Sequence, residues 1–198
     1  MSSIAASTQT SFDCSRFSDE EIVLLEQAPL VIFLLVAKAD NLIDNQEIHE
    51  LIRILLAPGE LYSDLFQNII NNCLCHKLHQ ANSDQQRVEC VVSSITRKAS
   101  ALTRRQPELH YAHLIRVRDI LADKATDNEA EYFKLSLFHM GHRIAGSSGS
   151  GLLGWFDKVS GRERKVLQNI VAALDIKMSS TVQKMLRQRT LGAVRSTA

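Results

Sequence analysis

The chain has 198 residues, of which 45% are hydrophobic and 23% are charged, and this is enough for one globular domain with a sizeable core. The formal net charge of +1 excludes the strongly basic balance of a general nucleic-acid-binding protein. Only three Pro and eight Gly residues, with apolar residues recurring at spacings of three and four, argue against a sheet protein and predict the all-α class.

In chain order, the elements predict a single-domain helical bundle of about eight helices. Ser18 and Glu21 have the spacing of a capping box, so we expect the first helix to begin there and to bend or break near Pro29. The Ser- and Thr-rich residues 1–17 predict a disordered tail. The remaining predicted segments are the domain at 18–190, its helices at 18–39, 45–56, 60–79, 85–105, 107–125, 127–145, 160–174 and after Ser179 or Ser180, and a C-terminal tail at 191–198.

Three features predict a cytoplasmic protein. The longest apolar run, APLVIFLLVA at residues 28–37, has only ten residues, which indicates a buried core helix and not a membrane span. The N-terminal residues MSSIAASTQTSFDCS lack the charged and apolar regions of a secretory signal. The four Cys residues fit free thiols in a reducing compartment.

The sequence contains an internal similarity, which is seen when Glu47 is aligned with Glu163. LIDNQEIHELIRIL and KVSGRERKVLQNIV then share an apolar residue, a helix cap, the glutamate and two further apolar positions. The paired residues are Ile43 with Val159, Asp44 with Ser160, Leu51 with Leu167 and Ile54 with Ile170. Because both copies follow a mostly apolar helix, the similarity predicts two duplicated helical hairpins that pack as halves of one bundle.

The same residues resemble a known family. A long apolar helix is followed by A-D-x-x-[IV]-[DS]-x-x-E and a helix with L-x-x-[IL], and a related pattern returns after IAGSSGSGLLGWFDKVSGRE. This arrangement resembles the TerB-like family, named for tellurite resistance, over residues 20–57 and 129–176. The first copy has Asp40-Asn41 where the family usually has Asp-Gly, and the second has Phe156 at the position of Asp40, so a second acidic site is not expected.

The resemblance implies an all-helical cytosolic protein associated with stress or tellurite resistance. It further implies a divalent cation held by acidic loop residues and no established catalytic activity. Since no catalytic constellation can be assembled from the sequence, we expect a non-enzymatic protein that acts through protein partners. The oligomeric state is left open.

The candidate cation ligands are Asp40, Asp44 and Glu47. Asp44 at the N-cap and Glu47 three residues later also have the spacing of a capping pair, which explains two of the three carboxylates without a metal. Asp40 lies at the C-terminal end of the preceding helix, where the helix dipole disfavours an anion. A Ca²⁺ or Mg²⁺ ion bridging the three would relieve this, although so few ligands predict weak binding. Capping alone is the competing interpretation.

An alternative function, as a metal-binding protein or metalloenzyme, rests on histidine and cysteine pairs on the predicted helices. Six of the seven histidines form HxxH pairs, and this spacing points both rings to one face of a helix. Two cysteines next to the first pair would add soft ligands for Zn²⁺ or Cu⁺. The candidates are Cys73, Cys75, His76, His79, His110, His113, His139 and His142. Against this, buried Cys often acts as a small apolar residue and His often bonds a backbone carbonyl.

Two basic stretches, TRKASALTRRQ and KMLRQR, suit a solvated helix face, an acidic partner surface or nucleic acid. A solvated face is the more common reason for such residues. We therefore do not expect nucleic-acid binding.

Overall fold

The computed structural model describes residues 14–39, 45–56, 63–70, 83, 85, 89, 106–147 and 159–187. Within this part of the chain every regular element is helical, which confirms the all-α class. A 3₁₀ turn covers Cys14–Arg16, and residues 64–70 are helical. The helices with defined bounds are α1 (Asp19–Ala37), α2 (Asn45–Leu56), α3 (Pro107–Lys124), α4 (Asp127–Ala145), α5 (Gly161–Leu174) and α6 (Ser180–Arg187).

Helix α1 is the centre of the core. Every residue from Ala28 to Ala37 is buried, because α3, α4 and α5 all pack against this helix. The apolar run at 28–37 is therefore a core helix, as predicted, and it passes through Pro29 without interruption. None of the helices in the described ranges combines the length and apolar character needed to cross a bilayer.

Capping boxes begin three of the helices. Ser18 accepts a hydrogen bond from the backbone N–H of Glu21, Thr126 accepts one from Glu129, and Ser160 accepts one from Glu163. In each box the glutamate in turn accepts from the backbone N–H of its cap residue. Each reciprocal pair satisfies two N–H groups that the helix itself leaves without a partner.

Helix starts recur along the described residues at the offsets that the predicted duplication requires, and the two sets of helices are called the first and the second repeat. Helices α1 and α4 both have 19 residues, and their capping boxes lie 108 positions apart, at 18 and 126 and at 21 and 129. The following helices are related by a shift of 116 positions, which superimposes Glu47 on Glu163. Leu51, Ile54, Leu167 and Ile170 are each at most 1% exposed. The shift is larger in this part because the connection between α4 and α5 is longer than that between α1 and α2.

The same shift of 116 continues into a third helical unit. The hydroxyl of Ser63 accepts from the N–H of Phe66 at 3.2 Å, and the hydroxyl of Ser179 accepts from the N–H of Val182 at 3.3 Å. Each repeat therefore contains three helical units and not only the predicted hairpin. The repeats pack reciprocally, because α1 contacts α4, α2 contacts α4, and α5 contacts α1.

The described structure begins at Cys14, four residues before the predicted start of the domain. Phe17 is 5% exposed and belongs to the core, and Arg16 binds Glu129 in α4. Residues 14–17 therefore belong to the folded part and not to the predicted tail. Residues 1–13 and the predicted tail at 191–198 lie outside the described residues.

Candidate functional site

The predicted acidic site falls between α1 and α2. Helix α1 ends at Ala37, where the backbone N–H of Lys38 donates to the carbonyl of Leu34 at 3.2 Å. Asp40 and Asp44 lie outside the described residues. Glu47 lies in the first turn of α2 and is only 3% exposed. A carboxylate with so little solvent contact requires hydrogen bonds or a cation, so the position of Glu47 fits either interpretation.

Glu163 gives the matched case in the second repeat. It is 2% exposed and accepts from the N–H of Ser160 at 2.6 Å, while its own N–H donates to the hydroxyl of Ser160 at 3.2 Å. A glutamate at this helix position is thus buried as a capping residue. An ionised carboxylate can accept more bonds than the one from a cap amide, so capping does not by itself exclude cation binding at Glu47.

One turn further along α2, Glu50 is held by two arginines. Its carboxylate accepts from Arg53 at 2.9 Å and from Arg143 of α4 at 2.8 Å. Burial raises the pKa of Glu50, but the hydrogen bonds from the two guanidinium groups outweigh this effect and hold the pKa below its ordinary value. Glu50 is therefore ionised, and its ion pair with Arg143 joins α2 of the first repeat to α4 of the second.

The pair His110/His113 is buried in α3, at 2% and 5% exposure. The Nε2 of His113 lies 2.9 Å from the carbonyl oxygen of Leu24, so this nitrogen carries the proton and donates. Pro29 has no N–H to donate to the carbonyl of Leu25, which follows Leu24 in the same turn of α1. His113 binds a backbone carbonyl in the turn before the proline, which is the structural role that competes with metal binding.

His139 and His142 lie on α4 close to Phe138, with ring centroids 6.1 and 6.4 Å from that ring. Burial lowers the pKa of both histidines, and for His139 the neighbouring His142 and Arg143 lower it further. Both rings are consequently neutral at neutral pH. Cys73, Cys75, His76 and His79 lie outside the described residues.

Within the ranges that the structure describes, no three His, Cys, Asp or Glu side chains assemble into a metal-binding group. The pairs in α3 and α4 thus do not form a joint site. The contacts that sequence reasoning missed are those of Arg16, Arg143 and Leu24. Each of these contacts joins residues far apart in the chain, so no local spacing signals it. For the Glu50 site, only the i, i+3 spacing of Glu50 and Arg53 gave a signal.

Comparisons of the chain with protein-family models, with curated proteins and with solved structures found no match.

Proposed function

We propose that the protein is a non-enzymatic, TerB-like cytoplasmic protein, associated with stress or tellurite resistance, that binds protein partners and a divalent cation. The cation would bind between α1 and α2, with Asp40, Asp44 and Glu47 as ligands. The observation that carries the proposal is the buried carboxylate of Glu47, which follows two aspartates in the chain. The duplicated arrangement of helices supports the resemblance on which the stress association rests.

The second repeat helps to separate cation binding from capping. Its Ser160 and Glu163 provide the cap, while Phe156 takes the place of Asp40 in the aligned sequence. Asp40 is therefore the acidic residue that capping does not require. With three carboxylates, and with water and backbone oxygens completing the shell, Ca²⁺ or Mg²⁺ would bind at about millimolar concentration.

The test is the thermal unfolding midpoint in CaCl₂ or MgCl₂ against KCl of equal ionic strength. If Kd is about 1 mM, 10 mM cation stabilises the folded state by about 1.4 kcal/mol. For a domain of this size the midpoint then rises by about 3–5 °C. Asp40→Asn should abolish the rise, since it removes the charge that only the cation site uses.

Glu47→Gln and Glu163→Gln form a matched pair at equivalent helix positions. Both weaken a helix start and lower the midpoint, but only Glu47→Gln should abolish the response to the cation. An unchanged wild-type midpoint at 10 mM of either cation would exclude the cation site. Equal responses in the two glutamine variants would assign Glu47 to capping alone.

A further inference from the structure

Two ion pairs connect the repeats in a reciprocal way. Arg16 precedes α1 and donates to Glu129 of α4 at 2.7 and 2.9 Å. Lys124 precedes α4 and donates to Glu21 of α1 at 2.7 Å. In each repeat the cation lies two residues before the helix cap and the glutamate lies three residues after it. The shift of 108 positions that relates α1 to α4 therefore places Arg16 on Lys124 and Glu21 on Glu129, so that the two ion pairs are equivalent.

Both glutamates are at the same time members of capping boxes. The Oε2 of Glu21 accepts from the N–H of Ser18 at 2.7 Å as well as from Lys124. The Oε2 of Glu129 accepts from the N–H of Thr126 at 2.9 Å as well as from Arg16. The carboxylate that begins each helix is thus oriented by a cation from the other repeat.

The surroundings favour a fixed geometry for these pairs. The side chains of Arg16 and Glu129 are 30% and 34% exposed, and those of Lys124 and Glu21 are 28% and 22% exposed. Arg16 forms two parallel bonds to Glu129, which restricts its orientation. Its guanidinium also lies 5.0 Å from the ring centroid of Phe17, which is buried in the core.

We infer that these four side chains form a conformational brace, in which the cation ahead of each repeat stabilises the first turn of the other repeat's long helix. The start of α4 then depends on residue 16, and the start of α1 depends on residue 124. The brace couples local opening at the two helix starts to the contact between the repeats. It is independent of the cation site at Glu47.

Amide hydrogen exchange in the full chain tests the inference, with the amides of Ser18, Glu21, Thr126 and Glu129 as probes. In Arg16→Gln we expect exchange at Thr126 and Glu129 to rise by about two- to fivefold, in keeping with a partly exposed ion pair. In Lys124→Gln the rise should instead occur at Ser18 and Glu21. The core amide of Leu137 reports global opening and serves as the reference in each variant.

Two controls complete the design. Arg16→Lys and Lys124→Arg keep the positive charge and should keep most of the protection. Arg118→Gln removes the cation of an ion pair within α3, at 2.7 Å from Asp119, and should leave all four probes unchanged. If Arg16→Gln raises exchange equally at both helix starts, or at neither, the inference is wrong.

Discussion

Gly141 of α4 and Ile32 of α1 lie at the point where these two long helices cross. A Cβ added to Gly141 would lie 3.0 Å from the Cγ2 of Ile32 and 3.3 Å from the Cδ2 of Leu167 in α5. Glycine inside a helix is unfavourable by about 0.5–1 kcal/mol relative to alanine, so Gly141 lowers the intrinsic stability of α4. The absent side chain allows α4 to approach the central helix.

The first prediction concerns this crossing. Gly141→Ala should lower the free energy of unfolding by about 1–2 kcal/mol, because the added methyl group displaces Ile32 in a fully packed core and this loss exceeds the gain in helix propensity. Urea unfolding measures the change. Gly161→Ala is the matched control, since a Cβ there meets nothing within 4 Å. If the two substitutions have equal effects, steric exclusion at Gly141 is not the reason for the glycine.

The second prediction concerns acid sensitivity. The hydrogen bond from Arg16 lowers the pKa of Glu129 from 4.5 to about 2, against the opposing effect of burial. Because the folded-state pKa is depressed, the ionised carboxylate stabilises the fold fully above about pH 4.5. This stabilisation is lost as the pH falls towards 2.

Carbon-detected NMR titration of the Glu129 carboxyl group should show the low pKa directly. In Arg16→Gln the pKa should move back towards 4.5, and the thermal midpoint should then depend less on pH between about 2 and 4.5. An unchanged Glu129 titration in this variant would contradict the assignment to Arg16.

The third prediction concerns His113. Replacement by Leu keeps a side chain of similar size but removes the donor to the carbonyl of Leu24, a part-buried hydrogen bond between α3 and α1. We expect a loss of about 0.5–1.5 kcal/mol in the free energy of unfolding, the usual contribution of one hydrogen bond, because the carbonyl of Leu24 keeps the N–H of Ala28 as its partner within α1. The exposed His49 provides the control, and His49→Leu should change stability by less than about 0.5 kcal/mol. Similar losses in both variants would argue against a structural role for the His113 bond.

The elements that depend on local sequence were predictable. The spacing of Ser or Thr with Glu three residues later identifies the starts of α1, α4 and α5, because a capping box is formed within one turn. The cap of α4 is Thr126. The similarity that aligns Glu47 with Glu163 was likewise visible, since both residues occupy one register of equivalent helices.

The contacts between distant residues were not predictable from the sequence. Arg16 was assigned to the tail because nothing within the first 17 residues signals a partner, and its partner Glu129 lies 113 positions away. Pro29 suggested a bend or a break, and α1 continues through it without a break to Ala37. Here tertiary packing on all sides outweighs the local loss of one backbone bond.

The last prediction concerns Asp175, which has φ 50° and is the one residue other than glycine with positive φ in the described part of the chain. It follows α5 in a Schellman motif, in which the N–H of Ile176 donates to the carbonyl of Val171 at 3.0 Å. Asp175→Gly should raise the free energy of unfolding by about 0.5–1 kcal/mol, because glycine adopts this conformation without steric cost. Loss of a negative charge at a helix C-terminus adds to the gain.

Asp175→Asn isolates the charge effect, since Asn tolerates the left-handed region about as well as Asp. Asp175→Val should destabilise the fold by more than about 1 kcal/mol in the same urea measurement, since a β-branched residue is strongly disfavoured there. Equal stabilities for the Gly and Val variants would mean that the backbone at 175 relaxes out of the left-handed region, and the motif would then not set the end of α5.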